Sequence, residues 1–125
     1  MNFTEEDFWN SQDNFLTMNS IKNSCYDEVL KFCRSNNLKG KIILPTSGST
    51  SGPKLTVLDK SSMLLSAKSV NEHLCINQND TWLCCLPTHH VSGLSIYARA
   101  YDSSSKVIKL ESIWNIADFY NSLKE

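Results

Sequence analysis

Short apolar runs alternate with amphipathic segments along this chain, and that alternation restricts its fold more than any other feature. Four runs are typical of strands because they are short, apolar and bounded by turn residues: 41–44, 55–58, 81–86 and 106–110. Segments with helical spacing lie beside or between them. We therefore predict an α/β fold of alternating β-α units, with a mainly parallel sheet flanked by helices. In such sheets, ligands gather beyond the carboxyl ends of the strands.

Four segments are predicted to be helical from the spacing of their apolar residues. They start at Ser24, near Asp59 or Ser61, after Gly93, and at a cap formed by Ser112. The clearest apolar stripe, at steps of four, three and four, consists of Met63, Ala67, Val70 and Leu74. Residues 1–23 show no sustained period, so we expect an irregular N-terminal arm packed by its aromatic residues. One structural unit then follows over 24–125.

Charge and cysteine usage exclude several classes of protein. The chain has 12 basic and 13 acidic side chains and a net charge of -1, so no overall field attracts nucleic acid or an anionic membrane. Its apolar runs are too short to span a bilayer, and its acidic start is unlike a signal peptide. The five cysteines are an odd number without Cys-x-x-Cys spacing. We therefore expect a reduced, cytoplasmic protein with neither nucleic acid nor membrane as a partner.

A zinc site is the alternative interpretation of the cysteines and histidines. The candidate ligands lie within one short stretch: Cys75, Cys84, Cys85, His89 and His90. Adjacent cysteines on a strand point to opposite faces, and structural zinc ligands come in paired spacings on loops. We therefore predict no metal site, but buried thiols and a pair of loop histidines.

Nine consecutive residues between the first two predicted strands carry the most chemistry. They are Thr46, Ser47, Gly48, Ser49, Thr50, Ser51, Gly52, Pro53 and Lys54. Glycines let backbone amides approach an anion, hydroxyls donate to phosphate oxygens, and lysine adds a positive charge. The loop 46–54 is therefore predicted to hold a polyphosphate. The alternative is a flexible Ser/Gly hairpin loop without a ligand.

A Walker A loop uses the same residue types, but the spacing here does not fit it. Gly48 and Gly52 are one residue too close, and Pro53 separates glycine from lysine. An apolar run follows Lys54, whereas a Walker A loop leads into a helix. The spacing therefore argues against an ordinary P-loop NTPase.

The loop instead resembles the signature of the adenylate-forming superfamily, which includes acyl-CoA synthetases, luciferases and nonribosomal peptide adenylation domains. That signature is [ST]-S-G-[ST]-T-G-x-P-K-G, and seven residues match it in register: Thr46, Ser47, Gly48, Ser49, Thr50, Pro53 and Lys54. Ser51 stands where the family usually has glycine, and Leu55 stands where another glycine is common. The resemblance implies that Thr46 to Gly52, together with Lys54, bind the phosphates of ATP.

A second motif supports the same family. The residues Leu86-Pro87-Thr88-His89-His90-Val91-Ser92-Gly93 resemble the L-P-L-F-H-V-S-G segment of o-succinylbenzoate-CoA ligases, which act in menaquinone biosynthesis. In this register His90 falls on a histidine that borders the acyl pocket, and His89 replaces an aromatic residue. Arg99 falls where some of these ligases carry a basic residue suited to a substrate carboxylate. The resemblance therefore implies an acyl pocket with His90, Ser92, Gly93 and Arg99, whereas a His-His pair alone is more often a solvated loop feature.

The resemblance also implies a reaction and a place in a larger enzyme. Such ligases join a carboxylic acid to MgATP as an acyl-adenylate and then transfer the acyl group to a thiol, commonly coenzyme A. The region 24–125 would be part of the large N-terminal AMP-binding domain. The family's later motifs for adenine, ribose and the adenylation lysine are not found, so the catalytic set is incomplete and we expect the chain alone to be catalytically silent.

Three interpretations stay open. The chain is a piece of an acid-CoA ligase, a non-catalytic module for nucleotide or anion binding or for interaction, or a plain α/β scaffold with a fortuitous loop. A piece of a larger sheet exposes apolar faces and open strand edges. We therefore expect a homodimer or association with the remainder of such an enzyme.

Overall fold

A computed structural model describes residues 3–17, 23–46, 54–110 and 115–124 of the chain. Strands and helices alternate along these residues, so the predicted α/β class is confirmed. The elements are α1 (Glu6–Asn10), β1 (Phe15–Leu16), α2 (Asn23–Ser35), β2 (Lys41–Thr46), β3 (Lys54–Asp59), α3 (Lys60–Leu74), β4 (Thr81–Cys84), α4 (Val91–Ser103), β5 (Lys106–Lys109) and α5 (Ile116–Ser122).

The strands form two sheets, one with the order β1-β2-β3 and one that pairs β4 with β5. The β4-β5 pair is parallel, as predicted. The β1-β2 pair is also parallel, although β1 was not predicted as a strand. The β2-β3 pair is antiparallel, with Thr46 opposite Lys54. Only seven residues, 47–53, join these two strands, whereas a parallel pair needs a crossover of a dozen or more residues. The loop therefore closes a hairpin.

Strand β2 is the centre of the packing. Ile42 and Ile43 are both fully buried, yet they belong to different apolar clusters because successive side chains of a strand point to opposite faces. Ile42 packs with Met63, Ala67 and the buried face of α4, while Ile43 packs with Cys33 of α2. Both faces of β2 are thus covered by apolar side chains at Ile42 and Ile43.

The helices begin and end close to their predicted bounds, with three differences. Helix α3 starts directly after Asp59. The residue buried after Ala67 is Asn71, because the Asn71 side-chain amide donates to the Arg99 carbonyl on α4 at 2.9 Å. Helix α4 starts at Val91, three residues before the predicted start after Gly93. Helix α5 is capped by Asn115, and Ser112, the predicted cap, lies outside the described residues.

The N-terminal arm is packed by its aromatic residues, as predicted, but it is more regular than expected. Phe3, Phe8 and Phe15 meet edge to face, with ring centres 5.0–5.4 Å apart. Within the arm, α1 forms a single turn and β1 pairs with β2. A two-residue strand is too short to show a period in sequence, and only its partner reveals it. No helix in the described part of the chain is long and apolar enough to cross a membrane.

Candidate functional site

A cleft of about 490 Å³ lies between the β2-β3 hairpin and the start of α4. Its lining residues come from the end of β2, from β3 and from the turn into α4: Leu44, Pro45, Thr56, Leu58, His90, Val91 and Ser92. The two strands that flank the predicted phosphate loop thus face the second motif across one opening. The structure brings the two motifs together although they are distant in sequence.

The phosphate loop itself lies largely outside the described residues, because 47–53 are not described. Its two ends are placed by the backbone: Thr46 closes β2, Lys54 opens β3, and they are paired partners in the hairpin. Pro45, next to Thr46, lines the cleft. The loop therefore starts and ends beside the cleft, and the phosphate-binding roles of residues 46–52 and 54 stay predictions.

His90 stands at the N-cap of α4, where its backbone is extended. Its N-H donates to the Pro87 carbonyl at 3.1 Å, and its carbonyl accepts from the Leu94 N-H at 3.1 Å. The His90 side chain is exposed, and its ring centre lies 4.4 Å from that of His89. Since the first amides of a helix lack partners within the helix and its dipole is positive there, this end of the cleft favours an anionic group.

Gly93 is placed by close packing. A Cβ at this position would lie 2.3 Å from the Pro87 carbonyl oxygen and 2.7 Å from the Leu86 carbonyl oxygen. No side chain larger than hydrogen fits without moving backbone, so Gly93 lets α4 approach the turn that follows β4. Gly93 is buried beneath the turn, whereas its neighbour Ser92 is exposed and lines the cleft.

Arg99 lies apart from the other predicted acyl-pocket residues. It is nine residues beyond His90, which along the axis of α4 corresponds to about 13 Å. Its guanidinium carbon lies 5.2 Å from the centre of the Trp82 ring on β4, a cation-π contact. Arg99 is not among the described residues that line the cleft. Its predicted contact with a substrate carboxylate stays a prediction.

Several residues of the cleft were missed by sequence analysis. Thr56 and Leu58 lie two apart on β3 and share one face, so the period of a strand could have identified them once the hairpin was known. Cys84 was predicted only as a buried thiol. It ends β4 beneath the turn, and burial raises the pKa of its thiol.

Metal ligands do not converge in the described part of the chain. Within residues 3–17, 23–46, 54–110 and 115–124, no group of three or more histidine, cysteine, aspartate or glutamate side chains could hold a metal ion. The four cysteines described there are free.

Comparison with known proteins points to one class of enzyme. No family model matches the sequence. The 2-succinylbenzoate-CoA ligase of Enterococcus faecalis is 42% identical over 57 residues, which covers 46% of this chain and 12% of the relative. That of Bacillus cytotoxicus is 29% identical over 93 residues, covering 74% and 19%. The chain thus spans less than a fifth of the length of these curated relatives.

A solved structure supports the same class. The o-succinylbenzoate coenzyme A synthetase of Bacillus subtilis, in complex with ATP and magnesium ion, superposes with a TM-score of 0.61 at 29% identity. The match covers 66% of this chain and 17% of that chain. These similarities in sequence and fold are to adenylate-forming, AMP-binding acyl-CoA synthetases, which confirms the predicted resemblance. Within that class, the relatives it matches are 2-succinylbenzoate-CoA ligases.

Proposed function

We propose that this chain binds the phosphates of ATP through its loop 46–54 and a carboxylic acid in the adjoining cleft, as the corresponding part of an ATP-dependent acid-CoA ligase does. One observation carries the proposal: the strands that flank the loop and the segment from His90 to Ser92 line a single cleft. The two motifs that resemble this family would then serve two substrates of one reaction.

In this proposal the loop holds the β and γ phosphates. Its hydroxyls at Ser47, Ser49 and Thr50, its backbone amides and the Lys54 ammonium would donate to phosphate oxygens. These groups would stabilise the charge that develops as pyrophosphate leaves. Magnesium would arrive with the nucleotide, since the described residues offer no ligand cluster of their own. ATP and magnesium ion in the Bacillus subtilis relative support this assignment.

The cleft suits an acid with an apolar body. Leu44, Leu58 and Val91 supply apolar walls, while His90 and Ser92 supply polar groups at the start of α4. A carboxylate placed there would meet free amides at the positive end of the helix. Arg99 lies farther along α4 and outside the cleft, so its proposed contact with a second carboxylate rests on the resemblance of the motif. The similarity to 2-succinylbenzoate-CoA ligases supports o-succinylbenzoate as our proposed substrate, with coenzyme A as the proposed acyl acceptor.

Isothermal titration with MgATP and with pyrophosphate tests the first half of the proposal. We expect binding by the parent chain and a loss of about 10- to 100-fold in Lys54→Ala, because a hydrogen bond to a charged group is removed. Lys68→Ala is the matched control, since it removes the same charge from an exposed position on α3. Equal affinities for the parent and Lys54→Ala would overturn the assignment of Lys54.

Titration with o-succinylbenzoate separates the two functional alternatives, because the chain alone is expected to form no AMP. A piece of a ligase would bind the acid as well as ATP. A non-catalytic nucleotide-binding or interaction module would bind ATP in the first experiment and no acid in the second. A chain that binds neither ATP nor pyrophosphate would leave only the plain scaffold.

Exposed apolar residues support the proposed association with a second copy or with the remainder of a ligase. Phe32 on α2 is 58% exposed and Val57 on β3 is 42% exposed, and both line one groove. Surfaces of this kind are common at interfaces. Sedimentation that shows only monomer at high concentration would contradict a homodimer.

The free thiols of Cys33, Cys75, Cys84 and Cys85 support the proposed reducing, cytoplasmic location.

A further inference from the structure

The corner between β4 and α4 contains a buried thiol that the proposed function does not use. Cys84, the last residue of β4, is 1% exposed. Its Sγ lies 3.3 Å from the carbonyl oxygen of Leu86, two residues later, and 3.9 Å from that of Gly93 on α4. A thiol has one hydrogen to donate, and the shorter distance identifies the Leu86 carbonyl as its acceptor.

The acceptor of this bond lies at the close approach between Gly93 and the turn that follows β4. The Leu86 and Pro87 carbonyl oxygens occupy the space that a Cβ on Gly93 would need. The Pro87 carbonyl also accepts from the His90 N-H. The Cys84 thiol, the two carbonyls and Gly93 therefore form one continuous chain of contacts that ends at the N-cap of α4.

Most of the turn between these contacts is open to solvent. Cys85, Leu86 and Pro87 are all exposed, so few side-chain contacts hold them. Exposed turns without buried side chains are the parts of a protein that move most easily. The Cys84 thiol reaches this turn from the core below it. Because burial raises its pKa, the thiol keeps its proton at neutral pH and stays a donor.

We infer that Cys84 is a positioning residue for the cleft. Its S-H group holds the Leu86 carbonyl against Gly93, and this contact sets where His90 and Ser92 stand relative to β2 and β3. The cleft has one wall on the hairpin and one at the start of α4, so the corner determines the distance between them. The effect on binding of the acid rests on the proposed function, whereas the effect on His90 does not.

Nuclear magnetic resonance of the free protein tests the geometric part. We expect Cys84→Ala to shift the imidazole resonances of His90 and the amide resonances of Val91 and Ser92. Cys84→Ser should restore most of these shifts, since a hydroxyl also donates. Cys33→Ala is the matched control, because Cys33 is equally buried at 1% but lies in the other apolar cluster. Shifts at His90 that are no larger in Cys84→Ala than in Cys33→Ala would overturn the inference.

Comparison of Cys84→Ser with Cys33→Ser tests the positioning role of Cys84 if Cys84→Ala does not fold. Serine at position 84 finds an acceptor in the Leu86 carbonyl, whereas no hydrogen bond of the Cys33 thiol is found in the described part of the chain. We expect Cys84→Ser to keep a higher denaturation midpoint than Cys33→Ser and to leave the His90 resonances near those of the parent. A lower midpoint for Cys84→Ser, or displaced His90 resonances in it, would overturn the inference.

Titration with ligands separates this inference from the proposed function. We expect Cys84→Ala to weaken binding of o-succinylbenzoate about tenfold through misplacement of His90, and to leave MgATP affinity unchanged because the loop is anchored on the hairpin. Cys33→Ala should change neither affinity. If the parent binds neither ligand, the proposed function fails and the resonance comparison still decides the role of Cys84. Equal losses of both ligands in Cys84→Ala would contradict a local positioning role.

Discussion

Replacing Gly93 by alanine is expected to force α4 away from the turn that follows β4. The added methyl group would lie 2.3 Å from the Pro87 carbonyl oxygen and 2.7 Å from the Leu86 carbonyl oxygen. Ordinary contact would require the two segments to separate by about 1 Å, and both obstacles are backbone atoms that no rotamer change can move. Overpacking of this kind costs about 1–3 kcal/mol, and the rigid obstacles place Gly93→Ala near the upper value.

Urea denaturation followed by circular dichroism measures this cost. We expect the free energy of unfolding to fall by about 3 kcal/mol and the thermal midpoint by about 10 °C. Ser95→Ala is the control on the same helix, because its hydroxyl bonds to carbonyls of the preceding turn and its loss should cost less than about 0.5 kcal/mol. A Gly93→Ala chain as stable as the control would refute the steric reasoning.

Three further perturbations test other parts of the fold. Lys60→Met should lower the free energy of unfolding by about 1–3 kcal/mol. The buried Lys60 ammonium donates to the Phe8 carbonyl at 2.7 Å, and this carbonyl would lose its donor. Lys68→Met, on the exposed face of α3, should change it by less than about 0.5 kcal/mol, and equal losses in urea titrations would contradict the role of Lys60. Asn115→Ala should remove a 2.8 Å cap bond and about 1 kcal/mol, seen as faster hydrogen exchange in α5, and unchanged exchange would argue against the cap. Because burial raises the pKa of the Cys84 thiol, its contribution to stability is complete below the ordinary pKa of 9.0 and is lost as pH rises above it. Urea denaturation above that pH should therefore show a larger loss of stability in the parent than in Cys84→Ala. Equal losses in the two proteins would exclude a contribution from ionisation of the Cys84 thiol.

The alternation of strands and helices was predictable because each element carries its own period. Met63 and Ala67 are buried where the helical stripe placed them, and β2 and β3 lie within two residues of their predicted bounds. The antiparallel pairing of β2 with β3 was less accessible, because strand direction depends on the connection and not on the strands. A connection of seven residues was the available signal.

The candidate site was predictable only in part. The two motifs were identified from their residues, but their meeting at one cleft depends on how β2, β3 and α4 pack, which no local pattern contains. Cys84 and Gly93 show the same limit. Their roles rest on distances to the Leu86 and Pro87 carbonyls, and a sequence reveals a close approach of backbone only through the presence of glycine.

The register of the β2-β3 hairpin determines how the segment 47–53 could be exchanged with that of another enzyme. Thr46 and Lys54 are paired, and Cα atoms of such partners lie about 4.5–5.5 Å apart, whereas a free chain of this length spans roughly 15 Å. A grafted segment that keeps Thr46 and Lys54 therefore starts and ends at two residues that the hairpin already holds side by side. One extra residue inside β3 would turn every later side chain of that strand onto the opposite face. An exchange must therefore keep the pairing of β2 with β3 and change only residues 47–53.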